Sequence, residues 1–118
     1  MVFRNISSTT CALRGYPGVR LLDSAGRLMP PTPRRGSAFV FTDPGPTTIV
    51  LPARDGEASF AIGGEDYDQV HQRECPTAAK IAVYAPDTRN ALVVVTPFPA
   101  CRGITFSAVV AGRLGPRA

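Results

Sequence analysis

The sequence predicts an all-β domain, a sandwich or barrel of about eight short strands. Three observations carry that expectation. Twelve prolines and eleven glycines are spread along the 118 residues rather than clustered, so turn signals recur throughout. Between them lie short runs rich in Val, Ile, Phe and Thr, several with apolar and polar residues alternating. No segment sustains a 3.6-residue period, which argues against alternating strand–helix units. With 44% apolar residues the chain is too hydrophobic to be disordered, and it is long enough to bury one core.

Residues 2–6 read as a first strand, ended by the turn-forming Ser7-Ser8-Thr9-Thr10. A second extended run covers 13–23, with Val19, Leu21 and Leu22 as its apolar part. It contains Gly15-Tyr16-Pro17-Gly18, which is not a regular central strand because Pro17 has no N–H to donate; a bulge or kink is expected. Gly15 and Gly18 would give the backbone freedom there, and Tyr16 would anchor its ring while its hydroxyl reaches a backbone carbonyl. Asp23-Ser24-Ala25-Gly26 is a turn, and Pro30, Pro31 and Pro33 make a stiff extended loop that carries Arg34 and Arg35. A third strand is expected over 38–42, with Phe39 and Phe41 on one face, closed by Asp43-Pro44-Gly45-Pro46.

Residues 47–51 and 57–62 form an expected hairpin, because Asp55-Gly56 is a strong turn signal between two such runs. Residues 63–76 are polar, lack β-pattern and suit a short helical turn. Strands follow at 80–85, 91–96 and 104–111, and a frayed tail over 113–118 leaves 1–112 as one domain. The expected inner faces draw on Phe39, Phe41, Val50, Phe60, Ile62, Ile81, Val83, Val93, Val95, Ile104 and Phe106.

Charge and cysteines narrow the function classes. The net charge is +4, but twelve arginines and one lysine are scattered and only Arg34-Arg35 adjoin. A nucleic-acid binder usually shows a basic stripe interleaved with aromatics, and none is present. No apolar run reaches the ~20 residues of a membrane span.

The run Phe3-Arg4-Asn5-Ile6-Ser7, then Cys11-Ala12-Leu13-Arg14-Gly15-Tyr16-Pro17-Gly18-Val19, resembles a family of secreted actinobacterial domains known as domain of unknown function 4232. The hairpin segment Ile49-Val50-Leu51-Pro52 through Phe60 and the late Cys75 and Cys101 continue the likeness along nearly the whole chain. The resemblance implies an immunoglobulin-like antiparallel β-sandwich of about seven to eight strands and an extracytoplasmic setting, and nothing in it implies an activity. Family members carry a signal and a first, cysteine-bearing strand before the Phe3–Asn5 segment. The chain is therefore expected to lack both, as from a late start codon or a truncated gene. A missing first strand would leave an exposed sheet edge, so a homodimer formed by strand pairing or exchange is expected.

Cys75 precedes the 80–85 strand and Cys101 the last one, and the one strand between those two, 91–96, returns the chain to the same end, which allows a disulfide between the cysteines. Cys11 would then be a free thiol, its partner having stood on the missing strand; the rival pairings of Cys11 with Cys75 or Cys101 stay open, because connectivity cannot be read from sequence. A zinc site from the three cysteines and His71 lacks any short-spaced Cys pair. His71 with Ser59 or Cys75 and Asp68 would make a catalytic set, but no nucleophile motif surrounds them. Glu65, Asp66 and Asp68 offer oxygens to calcium without the EF-hand spacing, and Arg73 supplies a simpler ionic partner. The expectation is a non-enzymatic, cofactor-free extracytoplasmic domain that binds a protein or cell-envelope component. The alternative is a small-ligand or hydrolytic site in the 63–75 loop.

Overall fold

A computed structural model shows an all-β chain with fourteen short strands and no helix among the described residues. These are residues 1–116 except 39, 65–66, 69–71, 87–90 and 102, with the side chains of Tyr67 and Asp68 also outside the description. The strands are β1 (Val2–Arg4), β2 (Cys11–Arg14), β3 (Gly18–Leu22), β4 (Leu28–Met29), β5 (Arg34–Arg35), β6 (Thr48–Leu51) and β7 (Glu57–Ser59). They continue as β8 (Ile62–Gly63), β9 (Tyr67–Asp68), β10 (Arg73–Glu74), β11 (Thr77–Tyr84), β12 (Ala91–Pro99), β13 (Thr105–Phe106) and β14 (Val110–Ala111).

The largest sheet runs in the order β12-β11-β3-β4, and smaller ones in the orders β1-β7-β14, β5-β13-β8, β2-β6 and β10-β9. Pairing is antiparallel except between β5 and β13. The arrangement is consistent with a β-sandwich.

The register of the large sheet places the core. Val19, Val83 and Leu92 form one cross-strand row, and Leu21, Ile81 and Val94 another. Val19, Leu21, Ile81 and Val83 are almost wholly buried and join Phe3, Leu51, Phe60, Phe106 and Val109 in one apolar cluster. Phe3 stacks on Phe60 with ring centroids 5.8 Å apart, tying the β1-β7-β14 sheet into that cluster.

Several expected elements take a different form. The run over 13–23 is not one kinked strand: β2 pairs with β6, while β3 pairs with β11 and β4, so Gly15–Pro17 is a corner where the chain changes sheet. The 47–51 and 57–62 segments are not a hairpin. β6 pairs with β2 and β7 with β1 and β14, and the connection containing Asp55-Gly56 crosses between sheets. It folds so tightly that a Cβ on Gly56 would lie 2.5 Å from the nitrogen and oxygen of Pro52.

The 38–42 run holds only a tight return, with Ala38 and Phe41 exchanging backbone hydrogen bonds of 3.1 and 3.2 Å. Phe41 is nonetheless buried, while Phe39 lies outside the described residues. Among its described residues, the 63–76 stretch holds the β9–β10 pair. The 104–111 run divides into β13 and β14 in different sheets. The buried segment between them still satisfies its amides: Ser107 donates to Ala61 O at 2.9 Å and Val109 to Gly15 O at 3.0 Å. Within the expected tail, the Gly115 amide donates to Ser59 Oγ at 2.8 Å.

One buried polar side chain locks the sheet crossing. Asn5 is 7% exposed, and its Nδ2 donates to the carbonyl oxygens of Thr9, Leu51 and Pro52 at 2.9, 3.0 and 3.2 Å. Its Oδ1 accepts from the amide and hydroxyl of Ser7 at 3.0 and 2.7 Å. The Asn5 amide itself donates to Gly56 O at 2.8 Å. A single amide side chain thus fastens the turn after β1 to the crossing after β6.

Candidate functional site

Two surface features stand out once the strands are placed. The first is the corner between β2 and β3. Gly15 has φ +96°, a conformation that side-chain-bearing residues rarely adopt, and this reverses the chain so that Tyr16 faces β13. Pro17 is buried. Gly18 has a different role from the one expected: it lies opposite Tyr84, whose ring would be 3.1 Å from a Cβ there, so the glycine makes room for an aromatic.

Tyr16 meets Phe106 edge to face, with centroids 6.4 Å apart and planes at 78°, and carries the Arg35 guanidinium 4.7 Å from its ring centroid. Its hydroxyl does not reach a carbonyl. It donates to Asp43 Oδ2, a carboxylate brought in by the Asp43-Pro44-Gly45-Pro46 turn. Asp43 Oδ1 accepts from the amides of Gly45 and Ala108, both at 3.0 Å, so the carboxylate also takes the place of a strand partner for the 107–109 segment.

The two groups set each other's titration. The hydrogen bond to Asp43 is the main reason the Tyr16 phenol is pushed above its ordinary 10.0; desolvation and the Asp43 charge add to it, and Arg35 opposes. Desolvation raises Asp43, but the hydrogen bonds from Tyr16, Ala108 and Gly45 together outweigh it and hold the carboxyl below its ordinary 3.8. The contribution of Asp43 is therefore present above pH 3.8 and is lost as pH falls through its lowered folded value. The contribution of Tyr16 is present below pH 10.0 and is lost as pH rises through its raised folded value. Phenolate absorbance, taken as the difference between the wild type and Tyr16→Phe, is expected to show Tyr16 ionising above its ordinary range. Asp43→Asn shifts that midpoint down; an unchanged midpoint would mean the two side chains do not meet in solution.

The second feature is β12. It forms one edge of the largest sheet, bonded to β11 on one side only among the described residues. Leu92, Val93 and Val95 are 61%, 53% and 79% exposed, and Val94 is 37% exposed. Both faces of the strand therefore show aliphatic side chains to solvent. The segment Ala91-Leu92-Val93-Val94-Val95-Thr96-Pro97-Phe98-Pro99 carries no charge. Edge strands of this length usually hold a charge, a proline or a bulge against unwanted pairing, and in β12 the prolines, Pro97 and Pro99, stand only beyond the 91–95 run. A register shift between Ala78 and Lys80 of β11 disturbs the ladder, but beyond the apolar run.

Comparison with family models matches residues 1–115 to the family described as domain of unknown function (DUF4232). The chain belongs to this family. Comparison with curated proteins and with solved structures yields no match.

Within this DUF4232 domain the residues singled out by sequence take up separate positions. Cys75 and Cys101 form a disulfide with Cα atoms 5.3 Å apart, just outside the paired ends of β11 and β12. Cys11, at the start of β2, is an exposed free thiol. With two of its three sulfurs joined, a zinc site drawing on all the cysteines and His71 is ruled out in the oxidised chain. His71, Glu65, Asp66 and the Asp68 side chain lie outside the described residues, and so does the heart of the 63–75 loop site. Ser59 is buried and accepts a hydrogen bond from the Gly115 amide. Among the described residues no cluster of three or more His, Cys, Asp or Glu side chains is placed to hold a metal, and no helix is long and apolar enough to cross a membrane.

Sequence reasoning missed both surface features for identifiable reasons. Asp43 stands 27 residues from Tyr16, and nothing local joins two turn motifs. Val93 and Val95 were expected inside, but they align with Ala82 and Lys80 on the face opposite Ile81 and Val83. Val50 likewise is 63% exposed. The missed signal in β12 was the absence of any charge over nine residues.

Proposed function

We propose that this domain is a non-catalytic, extracytoplasmic interaction module, immunoglobulin-like in its sandwich, that engages protein by adding a strand to β12. The observation that carries this reading is the uncharged, doubly exposed edge of β12. Unpaired N–H and C=O groups along such an edge supply affinity, and the alternate side chains supply apolar contact. The Cys75–Cys101 disulfide agrees with an oxidising compartment.

A second copy of the chain is the occupant the edge fits best. Two β12 strands related by a two-fold axis pair antiparallel and bring identical neutral side chains together. The net charge of +4 raises no local repulsion, because β12 contributes none of it. One strand pair is a small interface, below the roughly 1,200 Å² of stable complexes, so the dimer is weak and its population depends on concentration.

Val95→Glu tests this. Lys80 lies directly opposite Val95 on β11, so the new carboxylate gains a cross-strand partner within the fold while charging the free edge. Light scattering over a concentration series is expected to show the wild type rising from 12.5 kDa towards twice that mass, and Val95→Glu remaining at 12.5 kDa. A wild type that stays monomeric throughout, or a variant that associates equally, would overturn the reading.

A further inference from the structure

The corner that holds Tyr16 also shapes a groove of about 320 Å³ lined by Arg14, Gly15, Tyr16, Arg35 and Pro46. Arg14 ends β2 and Arg35 ends β5, so two strands from different sheets deliver their terminal guanidinium groups to one concavity. Adjacent residues of a strand point to opposite faces, and Arg34 accordingly lines a different cleft, with Pro31, Thr32, Gly103, Ile104 and Thr105.

Neither arginine lies within 4.0 Å of a carboxylate among the described residues. Arg14 Nη1 makes one long contact, 3.4 Å to Thr48 Oγ1, and Arg35 rests on the Tyr16 ring. Arginine presents five donors and no acceptor, so most of the donor capacity here faces water. Asp43 pairs with neither guanidinium, since neither comes within 4.0 Å of it, and its oxygens serve Tyr16, Gly45 and Ala108. Gly15 keeps the floor of the groove open: a Cβ there would meet only Pro46, at 3.9 Å.

We infer that the groove between Arg14 and Arg35 binds a carboxylate, carried on an acidic side chain of a peptide segment. Charge decides between anions. Two guanidinium groups stand against the one carboxylate behind Tyr16, leaving a single net positive charge. A monoanion neutralises this, whereas a dianionic phosphate overshoots it and meets Asp43 repulsion. Geometry agrees, since a planar carboxylate matches a guanidinium fork in a bidentate pair. Arg35 is already oriented by the Tyr16 ring beneath it, so little rotamer freedom is lost when the anion arrives. The site uses β2 and β5 and no residue of β12, so it stands whether or not β12 pairs.

The test is a chemical-shift titration of the whole domain, following backbone amides and arginine Nε–H signals. The probe is the capped peptide acetyl-Gly-Glu-Gly-amide, with acetyl-Gly-Gln-Gly-amide and inorganic phosphate as comparison arms. The glutamate peptide is expected to move the Arg14 and Arg35 Nε–H signals and the Gly15 and Tyr16 amides; the glutamine peptide is not. Arg14→Gln and Arg35→Gln are each expected to weaken the glutamate peptide by at least about fivefold, the loss of one charged hydrogen-bonded pair. Unchanged melting of both variants shows that the fold is intact, and Val95→Glu is expected to bind the peptide as the wild type does. Shifts that spread evenly over the surface, equal response to the glutamine peptide, tighter binding of phosphate, or affinity unaffected by both arginine substitutions would overturn the inference.

Discussion

Asn5→Ala is expected to lower the unfolding free energy by about 3 kcal/mol, since a hydrogen-bonding group lost from a buried network costs about 1–3 kcal/mol for each partner left unsatisfied. The substitution removes the Nδ2 bonds to the carbonyls of Thr9, Leu51 and Pro52 and the Oδ1 acceptor for Ser7, while Thr9 O still accepts from Ser7 Oγ and Pro52 O from the Gly56 amide. The contact to Leu51 O is buried, so water does not easily replace it. Asn5→Asp separates hydrogen bonding from packing. It keeps the shape but places a carboxylate oxygen against three carbonyl oxygens, and at neutral pH the charge is buried without a cation. The expected order of stability at neutral pH is Asn5, then Ala, then Asp. The Asp variant recovers in acid, where its protonated carboxyl donates one hydrogen bond. Denaturant unfolding at two pH values reads this order. An alanine variant within about 0.5 kcal/mol of wild type would place it among ordinary surface substitutions and show that the crossing does not depend on Asn5.

Breaking the Cys75–Cys101 bond is expected to cost about 3–4 kcal/mol, because the bridge closes a long loop in the unfolded chain. The residues it spans differ by 26 positions in sequence, and the native ends already meet without it. Thr77 pairs with Pro99, and the Ala100 amide donates to Pro76 O at 2.7 Å. The folded geometry therefore changes little, and the loss falls on the unfolded state. The double variant Cys75→Ala with Cys101→Ala is expected to unfold at a lower denaturant midpoint with an unchanged native circular dichroism spectrum. Thiol counting on the native protein is expected to give one reactive thiol without reductant, at exposed Cys11. An unchanged midpoint would contradict the disulfide account, as would a bridge found by peptide mapping to include Cys11.

The fold class was legible because strand length, turn spacing and the lack of a helical period are local properties. So were most aromatic and branched core positions: Phe41, Phe60, Ile81, Val83, Ile104 and Phe106 are buried. What failed depends on which strand lies beside which. Asp55-Gly56 is a true turn signal, yet the Asn5 contacts pull the chain across to the β1 sheet instead of back onto β6. The strand expected over 91–96 is present, yet an edge position exposes both of its faces, and nothing within the strand reports that. At the corner, Gly15 was readable as a point of backbone freedom beside Pro17. The Tyr16–Asp43 pair and the convergence of Arg14 with Arg35 were not, because each joins segments about 20 or more residues apart.

The central claim is that the free edge of β12 is where the domain meets protein. Amide hydrogen exchange at low and high protein concentration tests it most directly, read at those β12 amides that do not bond to β11. The account predicts that these amides exchange quickly in dilute solution and become protected as concentration rises. In Val95→Glu they should stay fast at every concentration. If the same amides are unprotected at high concentration while other edges, such as β1 or β4, gain protection, β12 is not the interaction edge.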